Sequence, residues 1–211
     1  YIRDKKVAER VGKTAKKYGV QLTIHAPYWI NLNSAEKQKI GASRQRIIRC
    51  LEVGTWLGAK KVVFHPGYYG KMEKDETYDN IKEQIKKIQE VRKEKKYTPK
   101  LAPETTGKVN VFGSPEEVKQ LVDDTGCSFC IDFAHVLARY KHYRFDDLKK
   151  IFAKEKTWHL HFSGIEYGDK GEKKHKKTEK KEWRKFLKIL FLLKKSLLEE
   201  EEEDLLKSKI N

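Results

Sequence analysis

The sequence lacks any apolar run of the length that a membrane-spanning helix needs. Such a helix takes about 20 consecutive apolar residues, whereas the most hydrophobic segment, ILFLL at 189–193, is far shorter and is flanked by lysines. The GxGxxG motif of a dinucleotide-binding fold is also missing. With only three cysteines, a disulfide framework is not indicated. We therefore expect no membrane association and a cytoplasmic location.

Two of the cysteines, Cys127 and Cys130, form a single CxxC pattern. They lie in GCSFCID, which we interpret as a strand, where a separation of three residues places side chains on opposite faces. The sequence contains no second CxxC that could complete a zinc cage. We therefore expect no metal or redox role for the pair.

Positive charge is abundant. The 211 residues contain 47 Lys and Arg against 31 Asp and Glu, which gives a net charge of +16. An excess of this size favours a polyanionic partner, because basic surfaces release counterions from phosphates. The alternative is a solvated surface rich in Lys and Glu.

Apolar periodicity predicts helices that alternate with short strands. Six strands are predicted, and the last of them is ILFLL. Helices are predicted at 4–18, from a capping-box pattern at 33–36 to near 58, at 76–94, from 114, at 145–152 and from near 179.

This alternation predicts an α/β fold, a (β/α)8 TIM barrel, as a single domain over residues 1–211. Such a barrel takes about 250 residues, and the sequence starts inside a predicted helix without an initiator Met. We therefore expect the first two strands to be missing from this chain. The charged runs at 170–181 and 199–204, and more broadly the segment 195–211, are interpreted as a solvated helix face or a tail.

Residues of metal-binding type stand at the ends of five predicted strands. In a (β/α) barrel these ends meet at one rim, where active sites are built. Imidazoles and carboxylates together suit zinc or manganese, and a carboxylate can bridge two ions, an arrangement that serves phosphodiester hydrolysis. The strand ends carry His25, His65, Glu104, Asp132 with His135 three residues later, and His161.

Two further histidines are not assigned as ligands. His159 precedes His161 by two residues, so it points to the same face one layer deeper and is interpreted as a core or supporting residue. His142 lies in a polar loop and carries no functional signal.

Five segments carry a recognisable pattern: IHAPYWINL (24–32), FHPGYYG (64–70), PETTG (103–107), CIDFAH (130–135) and HFSGIEYGDKGEKKH (161–175). Together they resemble the endonuclease IV family of apurinic/apyrimidinic endonucleases, archaeal type, of the xylose isomerase-like barrel superfamily. The resemblance implies a (β/α)8 barrel with two or three Zn²⁺ ions, Mn²⁺ being an alternative at one position. It also implies hydrolysis of double-stranded DNA 5′ to abasic sites in base-excision repair, by metal-bound hydroxide, and a monomer.

The resemblance assigns ligands to the first two metals. His25, His65 and Glu104 match the ligands of the first metal, with Glu104 as the bridging and catalytic carboxylate. Asp132 and His161 match ligands of the second metal.

His135 matches a ligand of the third metal. The family's Asp-x-His segment should complete that site, and here Glu172 and His175 stand nearby in an EKKH spelling. Tyr28 and Trp29 match side chains that the family inserts into the duplex at the lesion. Tyr68 and Tyr69, after the turn at 66–67, are predicted at the rim near the DNA.

The last strand departs from the family pattern. The family supplies a final glutamate ligand there in a segment like ISESP, whereas this sequence has Lys194 near that position and Glu199 as the closest acid. Two alternatives to the nuclease stay open. One is a sugar isomerase or epimerase on the related barrel, and the other is a non-catalytic DNA-binding remnant.

Overall fold

The computed structural model describes residues 2, 4–184, 186, 187, 190 and 191. The helices are α1 (Lys5–Lys17), α2 (Lys37–Leu57), α3 (Lys74–Glu94), α4 (Pro115–Thr125), α5 (Phe133–Tyr140) and α6 (Phe145–Ile151). The strands are β1 (Ile24–His25), β2 (Lys61–Phe64), β3 (Gly67–Tyr68), β4 (Lys100–Pro103), β5 (Val111–Phe112), β6 (Ile131–Asp132), β7 (Leu160–His161), β8 (Gly164–Gly168) and β9 (Gly171–Lys176). Residues 180–184, 186, 187, 190 and 191 are also helical.

Parallel strands form a continuous arc in the order β1, β2, β4, β6, β7. The first three pair directly, and β6 pairs with β7. A parallel bridge between Glu104 and Cys130 joins the end of β4 to the segment before β6. The carboxyl ends of all five strands therefore lie along one edge, as predicted for successive strands of a (β/α) barrel. Two antiparallel pairs, β3 with β5 and β8 with β9, lie outside this arc.

Local sequence determines several helix ends. The Ser114 hydroxyl accepts a hydrogen bond from the backbone N–H of Glu117 at 3.2 Å, and the Glu117 carboxylate accepts one from the backbone N–H of Ser114 at 2.8 Å. Pro115 occupies the first helical position of α4. The predicted start of this helix is confirmed, because both partners of the capping box lie within one turn.

The helices cover the outer face of the arc with apolar side chains. Ile47 and Leu51 of α2, and Ile81 and Ile85 of α3, are fully buried. They belong to one large cluster that also contains Phe64 at the end of β2. This packing fixes the position of each strand end, and hence of the polar residue that follows it.

Asn33 does not begin a helix, so the predicted capping box at 33–36 is wrong. Helix α2 begins at Lys37, and its N-cap Glu36 makes no side-chain capping bond. Asn33 is buried instead, and its amide donates to the Tyr68 carbonyl at 2.9 Å and to the Thr77 hydroxyl at 3.1 Å. These partners lie far along the chain, so a tertiary contact replaces the local cap.

The charged segment after residue 170 was predicted as a helix face or tail, and this is wrong for 171–176. These residues form β9, which pairs with β8 through a tight turn. Gly171 adopts a φ of +89°, and a Cβ there would lie 2.2 Å from the Gly107 carbonyl oxygen. Glycine is therefore required at this close approach, and the hairpin is tied to the loop after β4.

The predicted last strand is also corrected. Leu190 and Phe191, the described part of ILFLL, are helical rather than extended. Leu190 packs against the main core, so its apolar side chain is accounted for by helix packing. Within the part of the chain that the structure describes, no helix is both long enough and apolar enough to cross a membrane.

Candidate metal centre

The edge formed by the parallel strands gathers side chains of metal-binding type. His25 is the last residue of β1, and His65 and Glu104 directly follow β2 and β4. Asp132 ends β6, His161 ends β7, and these two residues are register partners. The fold thus brings together the five strand-end residues that the sequence singled out.

Glu104 occupies the centre of this group. Its side chain is 1% exposed. Oε2 lies 2.9 Å from Nε2 of His25 and 2.7 Å from Nε2 of His65, while Oε1 lies 2.5 Å from Nδ1 of His161. One buried carboxylate is therefore shared by imidazoles from three strands, which is the arrangement that a bridging ligand needs.

The surroundings keep Glu104 ionised. Burial alone would raise the pKa of its carboxyl group, but hydrogen bonds from His161, His25 and His65 hold that pKa well below its ordinary value. Burial is the largest single influence on His25 and would lower its pKa, but the hydrogen bond to Glu104, the charges of Glu104 and Asp132 and the hydrogen bond to the Ala26 carbonyl together raise that pKa. The centre thus contains a carboxylate in the charged form that binds divalent cations.

The orientation of His25 fits a metal ligand. Its Nδ1 lies 2.8 Å from the carbonyl oxygen of Ala26. A carbonyl only accepts hydrogen bonds, so Nδ1 carries the proton, and in the neutral ring Nε2 is left with a lone pair. That lone pair faces the Glu104 carboxylate oxygen, which is also an acceptor. The two acceptors repel each other unless a cation or a second proton lies between them. The donor set therefore fits a metal ion.

A second group of ligand-type residues lies beside Glu104, at the start of α5. The Asp132 carboxylate accepts a hydrogen bond from the backbone N–H of His135 at 2.9 Å and so caps this helix. The buried His135 ring lies with Nδ1 2.8 Å from the Thr105 carbonyl oxygen, which leaves Nε2 available as a ligand. That Nε2 lies 3.0 Å from Nε2 of His175.

The β8–β9 hairpin brings His175 and Glu172 to the centre through a register shift. Residues three apart on a regular strand point to opposite faces. Here Tyr167 pairs with Glu172 and Glu166 with Lys174, so Lys173 is an extra residue opposite the shift between Glu166 and Tyr167. This β-bulge lets Glu172 reach within 3.7 Å of His175 and 3.6 Å of His135.

Because Gly107 has no side chain, Glu172 and His135 can occupy the space beside it. A Cβ at this position would lie 2.8 Å from Cβ of Glu172, 2.9 Å from its Oε2 and 3.2 Å from the His135 ring. A side chain there would displace Glu172. The glycine of PETTG therefore allows the β8–β9 hairpin to pack closely against the strand ends.

The ligand atoms fall into overlapping groups of three at the rim, each with its atoms within 4.8 Å of one another. The groups are His25–Glu104–His161, His65–Glu104–His135 and Asp132–His135–His175. The resemblance pairs Asp132 with His161, whereas here Asp132 lies with the hairpin histidine. Lys194 and Glu199, on which the prediction about the final ligand rests, lie outside the described residues.

Cys130 and His159 form a deeper group with His161. Their ligand atoms also lie within 4.8 Å of one another. Burial, and then the neighbouring His161, lower the pKa of His159 to about 4. Cys127 packs in the main core and Cys130 in a separate small cluster, in agreement with opposite faces for the pair. The sequence placed His159 below His161, but it gave no signal that Cys130 approaches both rings.

Exposed aromatic side chains surround the mouth of the centre. Tyr28 is 67% exposed and Trp29 is 74% exposed, and the Tyr28 ring lies 5.5 Å from that of His65. Tyr68 is also exposed. Between Tyr28, Tyr68 and the metal-binding side chains lies a cavity of about 90 Å³.

Tyr69 differs from its neighbours. Its hydroxyl donates to the Glu117 carboxylate at 2.6 Å, and its ring packs against the main core. The structure therefore brings Tyr28, Trp29 and Tyr68 to the rim surface and places Tyr69 against the core.

A family model described as a xylose isomerase-like TIM barrel matches residues 2–192. The chain belongs to this family. The predicted TIM-barrel fold and the suspected xylose isomerase-like barrel superfamily are therefore confirmed. An uncharacterized protein of Methanocaldococcus jannaschii is 36% identical to this xylose isomerase-like barrel over 187 residues, which are 82% of this chain and 68% of the relative.

Two more distant relatives are each named probable endonuclease 4. The protein of Mycoplasmopsis pulmonis is 29% identical over 54% of this chain and 42% of its own length. The protein of Acholeplasma laidlawii is 30% identical over 57% of this chain and 44% of its own length. The barrel thus matches less than half of either relative.

Solved structures show the same fold. The crystal structure of SacUVDE superposes with a TM-score of 0.70 at 18% identity, over 87% of this chain and 62% of that one. Endonuclease IV from Thermus thermophilus gives a TM-score of 0.57 at 24% identity, over 74% and 57% of the two chains. A D-psicose 3-epimerase gives 0.59 at 14% identity, over 78% and 72%. At these identities the likeness concerns the fold alone.

Proposed function

We propose that this xylose isomerase-like barrel is a zinc-dependent endonuclease that hydrolyses the DNA backbone 5′ to abasic sites in base-excision repair. The observation that carries the proposal is the buried Glu104 carboxylate, which His25, His65 and His161 approach from three different strands. Nitrogen and carboxylate donors in this number suit two or three Zn²⁺ ions, with Mn²⁺ as an alternative at one position.

The chain's own residues prepare the centre for cations. Glu104 stays ionised although it is buried, and it would bridge two ions. Backbone carbonyls of Ala26 and Thr105 lie against Nδ1 of His25 and His135, so Nε2 of each ring is directed inward. When bound, zinc supplies Lewis-acid stabilisation of phosphate oxygens and a water of lowered pKa.

Exposed residues at the rim suit the backbone and bases of DNA. Tyr28 and Trp29 project from the loop after β1 and would enter the duplex at the lesion, where base pairing is already lost. Tyr68 stands beside them. Stacking on exposed aromatic rings is independent of sequence, as the recognition of a missing base requires.

The β8–β9 hairpin adds positive charge next to the centre. Its exposed lysines would contact phosphates without reading sequence, while Glu172 and His175 of the same hairpin face the ligands. These lysines are Lys170, Lys173, Lys174 and Lys176. The net charge of +16 favours the same partner.

The names of the two endonuclease 4 relatives support this assignment, and the motif resemblance supports it independently. The rival epimerase function shares the fold. Metal sites of the related sugar isomerases are held mainly by carboxylates, whereas here five of the eight side chains predicted as ligands are histidines. The monomeric state and the cytoplasmic location remain predictions.

A labelled duplex with one abasic-site analogue tests the proposal. We expect zinc-loaded or manganese-loaded protein to nick the strand 5′ to the analogue, leaving a 3′-hydroxyl, and a chelator to abolish the nick. The matched duplex without the lesion should stay intact. Glu104→Gln should lower the rate by about a hundredfold or more.

The control variant is Glu90→Gln, on the exposed face of α3, which removes the same charge far from the rim and should keep the wild-type rate. Salt-sensitive DNA binding without incision by metal-loaded protein would contradict the proposal in favour of a binding remnant. Turnover of a ketohexose without incision would contradict it in favour of an epimerase.

A further inference from the structure

One layer below the rim, the barrel interior contains a thiol next to two imidazoles. Cys130 is fully buried and packs with Val63 and Ala102, which are small side chains of the neighbouring strands. His159 and His161 point to the same face of their strand, with ring centroids 5.0 Å apart. Neither Cys130 nor His159 belongs to the ligands proposed for the nuclease centre.

The separation of the two imidazole nitrogens matches a tetrahedral ion. Nε2 of His159 lies 3.2 Å from Nε2 of His161. Two nitrogen ligands at bond lengths of about 2.0 Å from a tetrahedral zinc ion lie about 3.3 Å apart. The Cys130 sulfur completes a group whose three ligand atoms all lie within 4.8 Å of one another.

The two ring nitrogens of His161 face different groups. Its Nδ1 faces Glu104 at the rim, and its Nε2 faces His159 below. In the neutral ring with the proton on Nδ1, that nitrogen donates to Glu104 and the Nε2 lone pair is available to an inner ion. Binding a rim ion through Nδ1 as well would require the ring to lose that proton and become an imidazolate. The Glu104 carboxylate lies 3.6 Å from the Cys130 sulfur and would offset the charge of an ion held there.

We propose that Cys130, His159 and His161 form an inner metal position, one layer below the nuclease centre and sharing His161 with it, that takes a thiophilic divalent ion such as Zn²⁺, Cd²⁺ or Co²⁺. Thiolate and imidazole together select such ions over Mg²⁺ or Ca²⁺. On binding, bonds form from the metal to the Cys130 sulfur and to the Nε2 lone pairs of His159 and His161, and the thiol proton of Cys130 leaves to solvent. If the rim ion is also bound through Nδ1 of His161, the proton of that ring leaves to solvent as well. No oxidation or reduction is involved. The inference does not depend on the proposed nuclease activity.

Cobalt absorption spectroscopy of the whole protein tests this position. Cobalt bound only by nitrogen and oxygen at the rim has no thiolate-to-cobalt charge-transfer band in the near ultraviolet, whereas cobalt bound by Cys130 has one. We expect the band to appear as Co²⁺ is added to the reduced wild-type protein. It should vanish in Cys130→Ala and survive in the matched controls Cys127→Ala and Cys50→Ala, the other free cysteines among the described residues.

His159→Gln is expected to weaken cobalt binding, followed by the charge-transfer band, by about tenfold or more, since even supporting residues of metal sites have effects of this size. Cadmium NMR of the wild-type protein gives a reading that needs no variant, because a sulfur ligand shifts the cadmium resonance strongly downfield. Absence of the band and of a shifted cadmium resonance in wild type would overturn the proposal. A band that persists in folded Cys130→Ala would also overturn it.

Discussion

Replacing Glu104 with glutamine removes the charge at the centre of the rim and nearly preserves the shape of the side chain. The amide offers one oxygen in place of two, so at least one imidazole faces an NH₂ group. Removing one partner of a buried ionic group costs about 3–5 kcal/mol. The side chains of His25, His65 and His161 are 34%, 20% and 30% exposed, so solvent screens part of this, and we expect a loss of about 2–3 kcal/mol in chelator-treated protein.

The loss should depend on pH. The pKa of Glu104 is lowered from 4.5, so its contribution is present above about pH 4.5 and is lost as pH falls through the lowered pKa. The pKa of His25 is raised from 6.5, so its contribution is complete below about pH 6.5 and is lost as pH rises through the raised pKa. The difference between wild type and Glu104→Gln is therefore expected to be largest between these values and to shrink at higher pH.

Urea unfolding followed by tryptophan fluorescence measures this difference, at about pH 5.5 and about pH 8 with a chelator present. Glu90→Gln, which removes an exposed carboxylate of α3, should change the free energy of unfolding little at either pH. A Glu104→Gln effect of equal size at both pH values would refute the reasoning, because it would show that the carboxylate charge does not interact with a protonated His25 ring.

Three more substitutions test separate parts of the structure. Gly107→Ala places a Cβ 2.8 Å from that of Glu172, so zinc content by plasma mass spectrometry should fall, while Gly41→Ala, in open space, should keep it. Equal content in both would contradict the steric argument. Trp29→Ala should weaken binding to the abasic duplex by about tenfold without lowering the melting temperature, and a lowered melting temperature would instead assign a packing role. Ser114→Ala removes the cap of α4 and should cost about 1 kcal/mol in urea unfolding; an unchanged midpoint would show that the cap does not stabilise the fold.

Strand-end chemistry could be read from the sequence because a strand end is a local feature. A short branched apolar run followed by His65, or by Glu104 after Pro103, marks both the strand and its polar terminus. Parallel pairing then places successive ends along one edge. The convergence of these residues with Asp132 and His161 thus follows from the alternation of helices and strands. The family match confirms the barrel fold that this alternation predicts.

The position of the hairpin ligands could not be predicted in this way. Glu172 and His175 share a face only because Lys173 is bulged out of the β8–β9 ladder. A bulge depends on the partner strand, and its surroundings include the close contact of Gly171 with the loop at Gly107. Residues 170–176 have the charged composition of a solvated segment, and they lack the apolar alternation from which a strand is predicted. The strand β9 was therefore not predicted.

The motifs and spacing by themselves determined that the chain is a barrel of alternating strands and helices with imidazoles and carboxylates at the strand ends. Local rules suffice for these features, since apolar periodicity, glycines that end helices and capping boxes each involve residues only a few positions apart. Only the tertiary structure decided which ligands lie together. It also decided that Asn33 donates a hydrogen bond to the Tyr68 carbonyl instead of capping a helix, and that the Cys130 sulfur lies near the rings of His159 and His161. Those outcomes depend on distances across the barrel between residues far apart in the chain, and no local pattern encodes such distances.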